Sequence, residues 1–241
     1  MTKEVKRSDG RKNSETRPII AKVGVVPNAD GSAMFSFGNT IAIAAVYGPR
    51  LLHPQHMQDP STAILRCNYD LLSFSVSDRK KPGPNRRAQE ISKVTEWALL
   101  PVLDLKEFPN TVIDVQIYII QADAGTRTAG INAASMALAH AGIPMRDLVC
   151  SVAIGKLDKT LVADLTKEEE DFEEGEGATD FAIAKVANSD EFTLLQLDGK
   201  IEPETVKEVT KFSTEVCKQI YEAQKKALKD LVENSREGKK K

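Results

Sequence analysis

Thr111–Gly142 reads TVIDVQIYIIQADAGTRTAGINAASMALAHAG. Its opening, Thr111–Ala122, is a long and nearly continuous apolar run, the pattern of a strand central in a sheet. Its close, Ile131–Gly142, is a helix of small residues ended by Gly142 and Pro144. Between them lies Asp123-Ala124-Gly125-Thr126-Arg127-Thr128. A buried strand that hands over to a helix through a short glycine turn is a unit of α+β or mixed α/β folds.

Upstream, Pro18–Val26, Ser32–Phe37 and Thr40–Tyr47 read as a three-stranded meander, with turns at Asn28–Gly31 and Gly38-Asn39. Residues 48–62 hold Pro49, Pro54 and Pro60 with His53 and His56, and read as a loop. Ile64–Val76 reads as a further strand, and Ile91, Val94 and Ala98 give a helix from Ala88 that Pro101 breaks or kinks. Downstream a shorter cycle follows. Leu148–Asp158 and Thr160–Leu165 read as strands, and residues 178–187 and 191–199 as a strand pair. From Pro203, Val206, Val209, Phe212, Val216, Ile220, Ala223, Ala227 and Leu231 form one apolar stripe along a closing helix. Residues 1–16 are polar and read as loose, and the basic tail SREGKKK as disordered. The order predicts an α+β chain of two halves: an extension over 1–16, a first half over 17–148, a second over 149–235 and a tail over 236–241.

The 33 Lys and Arg against 35 Asp and Glu leave a net charge of −2, which excludes a uniformly basic coat; any polyanion contact must be local. No apolar run is long enough for a membrane span, and MTKEVKRSDGRK has no apolar core of a secretory signal. Cys67, Cys150 and Cys217 are odd in number and far apart, which excludes a fully paired disulfide framework and suggests a reducing cytoplasm.

Three constellations carry chemistry. The turn Gly125-Thr126-Arg127 opens a helix, where free backbone N–H groups and the macrodipole favour an anion and a guanidinium adds a planar fork. The plain alternative is a helix N-cap beside a surface arginine. The segment with Arg79, Lys80, Lys81, Arg86 and Arg87 is a local positive stretch, and Arg66 on the preceding strand extends it; the alternative is a solvated basic loop. Asp180 follows an acidic stretch, Glu168–Glu176, and is either a ligand of a divalent cation or a strand-edge residue beside a solvated acidic loop. His53 and His56 read as loop residues, His140 as exposed, and Cys67 as a poor nucleophile. No Walker A, Rossmann or Gly-x-Ser-x-Gly motif is present.

Together SDGRK (Ser8–Lys12), ADGSAMFSFGNT (Ala29–Thr40), AAVYGPR (Ala44–Arg50), Phe74–Val94, Gln121–Val149 and LLQLDGK (Leu194–Lys200) resemble the RNase PH family, and within it the catalytic ring subunits of archaeal exosomes. The resemblance covers residues 8–230 and rests on several long motifs in order. It implies an RNase PH-like fold (ribosomal protein S5 domain 2-like) of two βαβα-type halves. It implies a 3′→5′ exoribonuclease that uses inorganic phosphate, releases nucleoside diphosphates and runs in reverse as a tailing activity. It also implies magnesium, single-stranded RNA, a hexameric ring with a related non-catalytic subunit, and RNA-binding cap subunits. On this resemblance Gly125, Thr126 and Arg127 bind phosphate, Arg86 and Arg87 bind phosphate and RNA, and Arg66 binds the RNA backbone. Asp180 is the catalytic and metal-binding aspartate, and the second acid is Asp171, with Glu174 the other candidate. The sequence departs from close relatives at Asn68, where a second arginine often stands, and in a longer loop before Asp180. The competing readings are a non-catalytic RNA-binding subunit of the same ring, which has no need to keep Arg87, Arg127 and Asp180 together, and a small-molecule kinase, which lacks a Gly/Ser-rich phosphate loop here.

Overall fold

A computed structural model of the chain describes residues 7, 9–78, 80–81, 83, 85–158, 160–172 and 177–238, with 234–238 as backbone alone. Ser8, Arg79, Glu173, Glu174, Gly175 and residues 239–241, all part of the sequence reading, lie outside the described residues.

Two sheets follow one another along the chain. The first contains β1 (Ile19–Val23), β2 (Gly31–Phe37), β3 (Thr40–Leu51), β4 (Ile64–Leu71) and β5 (Thr111–Gln121). Their spatial order is β1-β2-β3-β5-β4, antiparallel except for the parallel β4–β5 pair. The second contains β6 (Val149–Leu157), β7 (Thr160–Ala163), β8 (Ala178–Val186) and β9 (Phe192–Asp198) in the antiparallel order β7-β6-β8-β9. Helix α1 (Arg86–Leu99) covers β4, α2 (Thr126–His140) packs on strands of both sheets, and α3 (Lys167–Glu170) is a single turn. Helix α4 (Pro203–Gly238) packs on β1 and β6.

Helix α2 explains its own composition. Every residue from Thr128 to Leu138 is buried, so no face can be polar unless it is hydrogen-bonded. Small residues let both sheets approach closely: a Cβ on Gly31 of β2 would lie 2.4 Å from the Ala137 carbonyl oxygen. The one buried amide is used as a stitch. Asn132 donates to the Ser151 carbonyl at 2.7 Å and accepts from its N–H at 2.8 Å, and Gln224 of α4 donates to Asn132 at 3.1 Å. Helix α1 closes the edge of the first sheet with side chains: Glu96 accepts from the Cys67 N–H and Ser92 from the Tyr69 N–H.

Several expectations are corrected. Of residues 1–16, the described ones (7 and 9–16) are docked rather than loose, because Arg7 and Thr16 are buried, as is Arg17 after them, and the Asn13 carbonyl accepts from the Ala163 N–H; residues 1–6 and 8 lie outside the described residues. Strand β3 runs on to Leu51, and Gln55–Met57 form a 3-10 turn within the predicted loop. Strand β4 stops at Leu71, short of Val76. Helix α1 starts at Arg86 because Asn85 caps it, its Oδ1 accepting from the Ala88 N–H at 2.7 Å. Strand β5 has neighbours on both sides, but its burial alternates and Tyr118 stays 38% exposed, so one face is not core. His140 is half-buried, its Nδ1 accepting from the Ser32 N–H at 3.0 Å. Residues at the start of the predicted tail belong to α4, which reaches Gly238. Among the described residues no helix is long and apolar enough to cross a membrane.

Candidate active site

The Asp123–Thr128 turn is built where β5 ends. Ala124 and Gly125 both take left-handed backbone, at φ 52° and 62°, so the chain reverses in two residues before α2 begins. The turn is pinned from behind. Thr40 Oγ1 accepts from the Asp123 N–H and donates to the Asp123 and Ala124 carbonyls, and Arg17 donates to the Asp123 carbonyl. No side chain caps the α2 N-terminus, which leaves its first N–H groups for a ligand. Tyr69 on β4 donates to Thr126 Oγ1 at 2.9 Å, so the Thr126 hydroxyl keeps its own proton to give. Burial pushes the Tyr69 phenol up, and it stays a donor.

Arg127 reaches from this turn towards α1, its Nη2 lying 3.3 Å from Glu90 Oε2, while its Nε is buried with no partner. Glu90 is also held by Gln196 of β9 at 2.9 Å. Arg86 and Arg87 open α1, exposed, and among the described residues neither forms an ion pair. Lys80 of the basic segment is engaged instead, with Asp70 at 2.9 Å.

Asp180 lies in β8 between Gly155 of β6 and Asp198 of β9. Its Oδ1 is buried, without a hydrogen-bond partner among the described residues. Burial and the nearby Glu170 carboxylate push its carboxyl up to about 6 against the pull of Arg127 and Arg87, with Asp198 adding to the rise. The charges of Arg87 and Arg127 thus both bear on the Asp180 carboxyl. Asp171 ends the α3 turn, 63% exposed, with Lys167 Nζ at 2.7 Å; the carboxylates that act on Asp180 are Glu170 and Asp198. Glu174 lies outside the described residues. Arg66 stands apart on the open face of β4, 56% exposed, as a fork on Asp114. Beside it Asn68 donates to Gln116 at 2.9 Å.

The predicted acidic stretch is not all solvated. Glu169 is buried, in a capping box with Thr166 and a fork with Arg7 whose two bonds are each 2.8 Å. Burial works to raise the Glu169 carboxyl, and Arg7 with the Thr166 N–H overcomes it, so the group sits below its usual value. Sequence reading missed Arg7, Arg17, Tyr69, Glu90 and Asp164, and took Glu169 only as one acid of the stretch Glu168–Glu176.

The donor set fits a magnesium ion. Magnesium takes one or two carboxylates and fills its other positions with water and phosphate oxygens, and a buried carboxylate oxygen without a donor is such a ligand. Among the described residues no group of three or more His, Cys, Asp or Glu converges, so a protein-only cage is not formed. Cys67, Cys150 and Cys217 are free and buried, and burial raises each thiol, Cys217 to about 12, so none is a nucleophile at neutral pH.

The chain matches the 3′ exoribonuclease family, domain 1 over residues 15–144 and domain 2 over residues 147–216. It belongs to the RNase PH family of 3′ exoribonucleases. It is 52% identical to the exosome complex component Rrp41 of Pyrococcus furiosus, over 93% of this chain and 88% of that one. It is 47% identical to the Rrp41 of Nitrosopumilus maritimus, over 95% of this chain and 93% of that one. The crystal structure of rice (Oryza sativa) Rrp46 shares the fold at a TM-score of 0.81 and 21% identity, over 92% of this chain and all of that one. The RNase PH-like α+β fold expected from the sequence is thereby established.

Proposed function

We propose that this chain is the catalytic ring subunit of an archaeal exosome, a phosphorolytic 3′→5′ exoribonuclease that also runs in reverse to tail RNA. The observation that carries the reading is a complementary pair of unpaired groups among the described residues: donors without an acceptor at Arg127 Nε and the α2 N-terminus, and an acceptor without a donor at Asp180 Oδ1. The family is that of 3′ exoribonucleases, and the curated relatives above are exosome components.

In this reading the half over 17–148 brings the nucleophile and the half over 149–235 the carboxylate. Inorganic phosphate sits on the N–H groups of the turn, with Gly125 giving backbone access, Thr126 donating its hydroxyl proton and Arg127 exchanging Glu90 for phosphate. Arg86 and Arg87 take the terminal phosphodiester and Arg66 a backbone phosphate further along single-stranded RNA. Two anions that repel each other are thus held together by fixed guanidiniums. A phosphate oxygen attacks the terminal phosphodiester phosphorus. The bond to the preceding nucleotide's 3′ oxygen breaks, that oxygen takes a proton, and a nucleoside diphosphate leaves. Asp180, with its raised carboxyl, holds a proton for that oxygen or, ionised, holds magnesium together with Asp171 from the α3 turn. When bound there, magnesium offsets the charge that develops on the scissile phosphoryl oxygens.

The partners in this reading are a related non-catalytic RNase PH-like subunit, alternating with this chain in a hexameric ring, and RNA-binding cap subunits, in the cytoplasm. The test incubates the assembled ring with single-stranded RNA and magnesium, with and without orthophosphate. Phosphate-dependent release of nucleoside diphosphates is expected. RNA binding without release would make the chain the non-catalytic ring subunit instead.

A further inference from the structure

Arg7, Arg11 and Arg17 of the N-terminal segment meet the Asp123–Thr128 and Thr166–Asp171 turns in a buried charge network that the mechanism above does not use. Arg17 is its first hub. Its Nε and Nη2 fork the Asp164 carboxylate at 2.8 and 2.7 Å, and its backbone N–H adds a third bond at 2.8 Å. Its remaining Nη1 donates to the Asp123 carbonyl of the anion turn and lies 3.5 Å from the Asp123 carboxylate. Burial would lower this guanidinium, and Asp164 more than reverses that, so it stays charged. Arg7 is the second hub. It forks Glu169 in α3 and donates to the carbonyls of Ala163 and Asp164 at 2.9 and 3.0 Å. Arg11 lies between them, its Nη2 donating to the Asp164 carbonyl at 3.2 Å. The turns also touch directly: the Lys167 N–H that opens α3 donates to Asp123 Oδ1 at 3.1 Å.

Each hub holds a different turn. Arg17 stands behind the turn that would take phosphate, 3.4 Å from where a Cβ on Gly125 would be. Arg7 fixes Glu169, and the next residues of that turn are Glu170 and Asp171, the second being the metal-holding acid of the phosphorolytic reading. Buried ion pairs are poor sources of net stability, since desolvation offsets most of the attraction. What a bidentate fork does well is fix orientation, and groups behind first ligands tune those ligands' affinity.

Resting on the phosphorolytic reading, we propose that Arg17 and Arg7 are positioning residues with separate duties: Arg17 sets the phosphate turn through Asp123 and Asp164, and Arg7 sets the metal turn through Glu169. The N-terminal segment is then part of the active site without touching substrate.

The test uses Arg17→Lys and Glu169→Asp, which keep the buried charges while spoiling the forks, in the assembled ring. Orthophosphate binding is read by calorimetry, and manganese(II) binding by electron paramagnetic resonance, at a temperature where each ring is folded by its melting curve. Arg7→Lys replaces Glu169→Asp if the latter does not fold. Arg17→Lys should weaken phosphate about tenfold and leave manganese within about twofold, with Glu169→Asp doing the reverse. The phosphate KM and the metal half-saturation of turnover should split the same way. Equal weakening of both ligands by either variant, or no change in either, would overturn the proposal. A parent ring that binds both ligands but releases no diphosphate would overturn the phosphorolytic reading alone, and the split would still be decided by binding.

Discussion

The two turns of the site are built on opposite plans. The Asp123–Thr128 turn is finished before any ligand arrives: Thr40, Arg17 and Tyr69 satisfy its inner groups, and its outward donors are left free. The Thr166–Asp171 turn faces the reverse situation. Its capping box and Arg7 hold the backbone, yet the charge of its Glu170 bears on Asp180 in the neighbouring strand. In the proposed reading the first turn is a preorganised receptor for an anion. The second gathers like charges around a buried carboxylate, an arrangement that costs free energy until a proton or cation joins it. In the phosphorolytic reading the site puts its rigidity on the phosphate side and its electrostatic strain on the metal side.

The comparison breaks most visibly at Asp180. Asp180→Asn should lower turnover by at least about 10²-fold while RNA binding survives. The same variant should melt higher than the parent in metal-free buffer at pH 7.5. The sign follows from linkage: a carboxyl whose folded pKa of about 6 lies above its unfolded value binds more protons folded than unfolded between those values. Stability is therefore lost as pH rises from about 4 through 6, by up to about 3 kcal/mol for this group. The gap between variant and parent should vanish below about pH 4 and shrink when magnesium is added. An Asp180→Asn protein that is less stable at pH 7.5 would contradict strain on this side.

On the other side, Arg127→Ala should raise the phosphate KM about tenfold or more, since a charged hydrogen-bond donor is worth about 1.5–3 kcal/mol. Its manganese affinity, read by paramagnetic resonance, should hardly move. Tyr69→Phe should raise the phosphate KM a few-fold and cost roughly 1 kcal/mol of stability by chemical denaturation, as one buried hydrogen bond is lost. The smallest effect sharpens the comparison by its sign. Glu90 is a partly exposed carboxylate that occupies Arg127, so Glu90→Gln should lower the phosphate KM, by no more than about fivefold. A raised KM would make Glu90 a support for Arg127 rather than a rival of phosphate.

How much of this could be read beforehand divides along the same line. The strand, the glycine turn and the helix of Thr111–Gly142 are local, so apolar runs and a Gly-Thr-Arg sequence suffice to predict them. The helix start at Arg86 was also local, in the Asn85 cap, but the apolar stripe starts at Ala88 and hid it. Arg66 reads as free for RNA, and only the parallel register of β4 on β5 brings Asp114 beside it. The Arg7–Glu169 and Arg17–Asp164 forks join residues 162 and 147 positions apart, and no periodicity points from one partner to the other. A run of acids reads as a solvated loop until the arginine that buries one of them is placed.

The central claim is that phosphate, not water, is the nucleophile gathered beside Asp180, and isotope transfer tests it directly. With orthophosphate fully labelled with oxygen-18 and unlabelled RNA and water, mass spectrometry of the released nucleotides should find nucleoside diphosphates whose β-phosphorus carries only labelled oxygens, bridging oxygen included. Nucleoside monophosphates free of label, or released equally well in phosphate-free buffer, would contradict it.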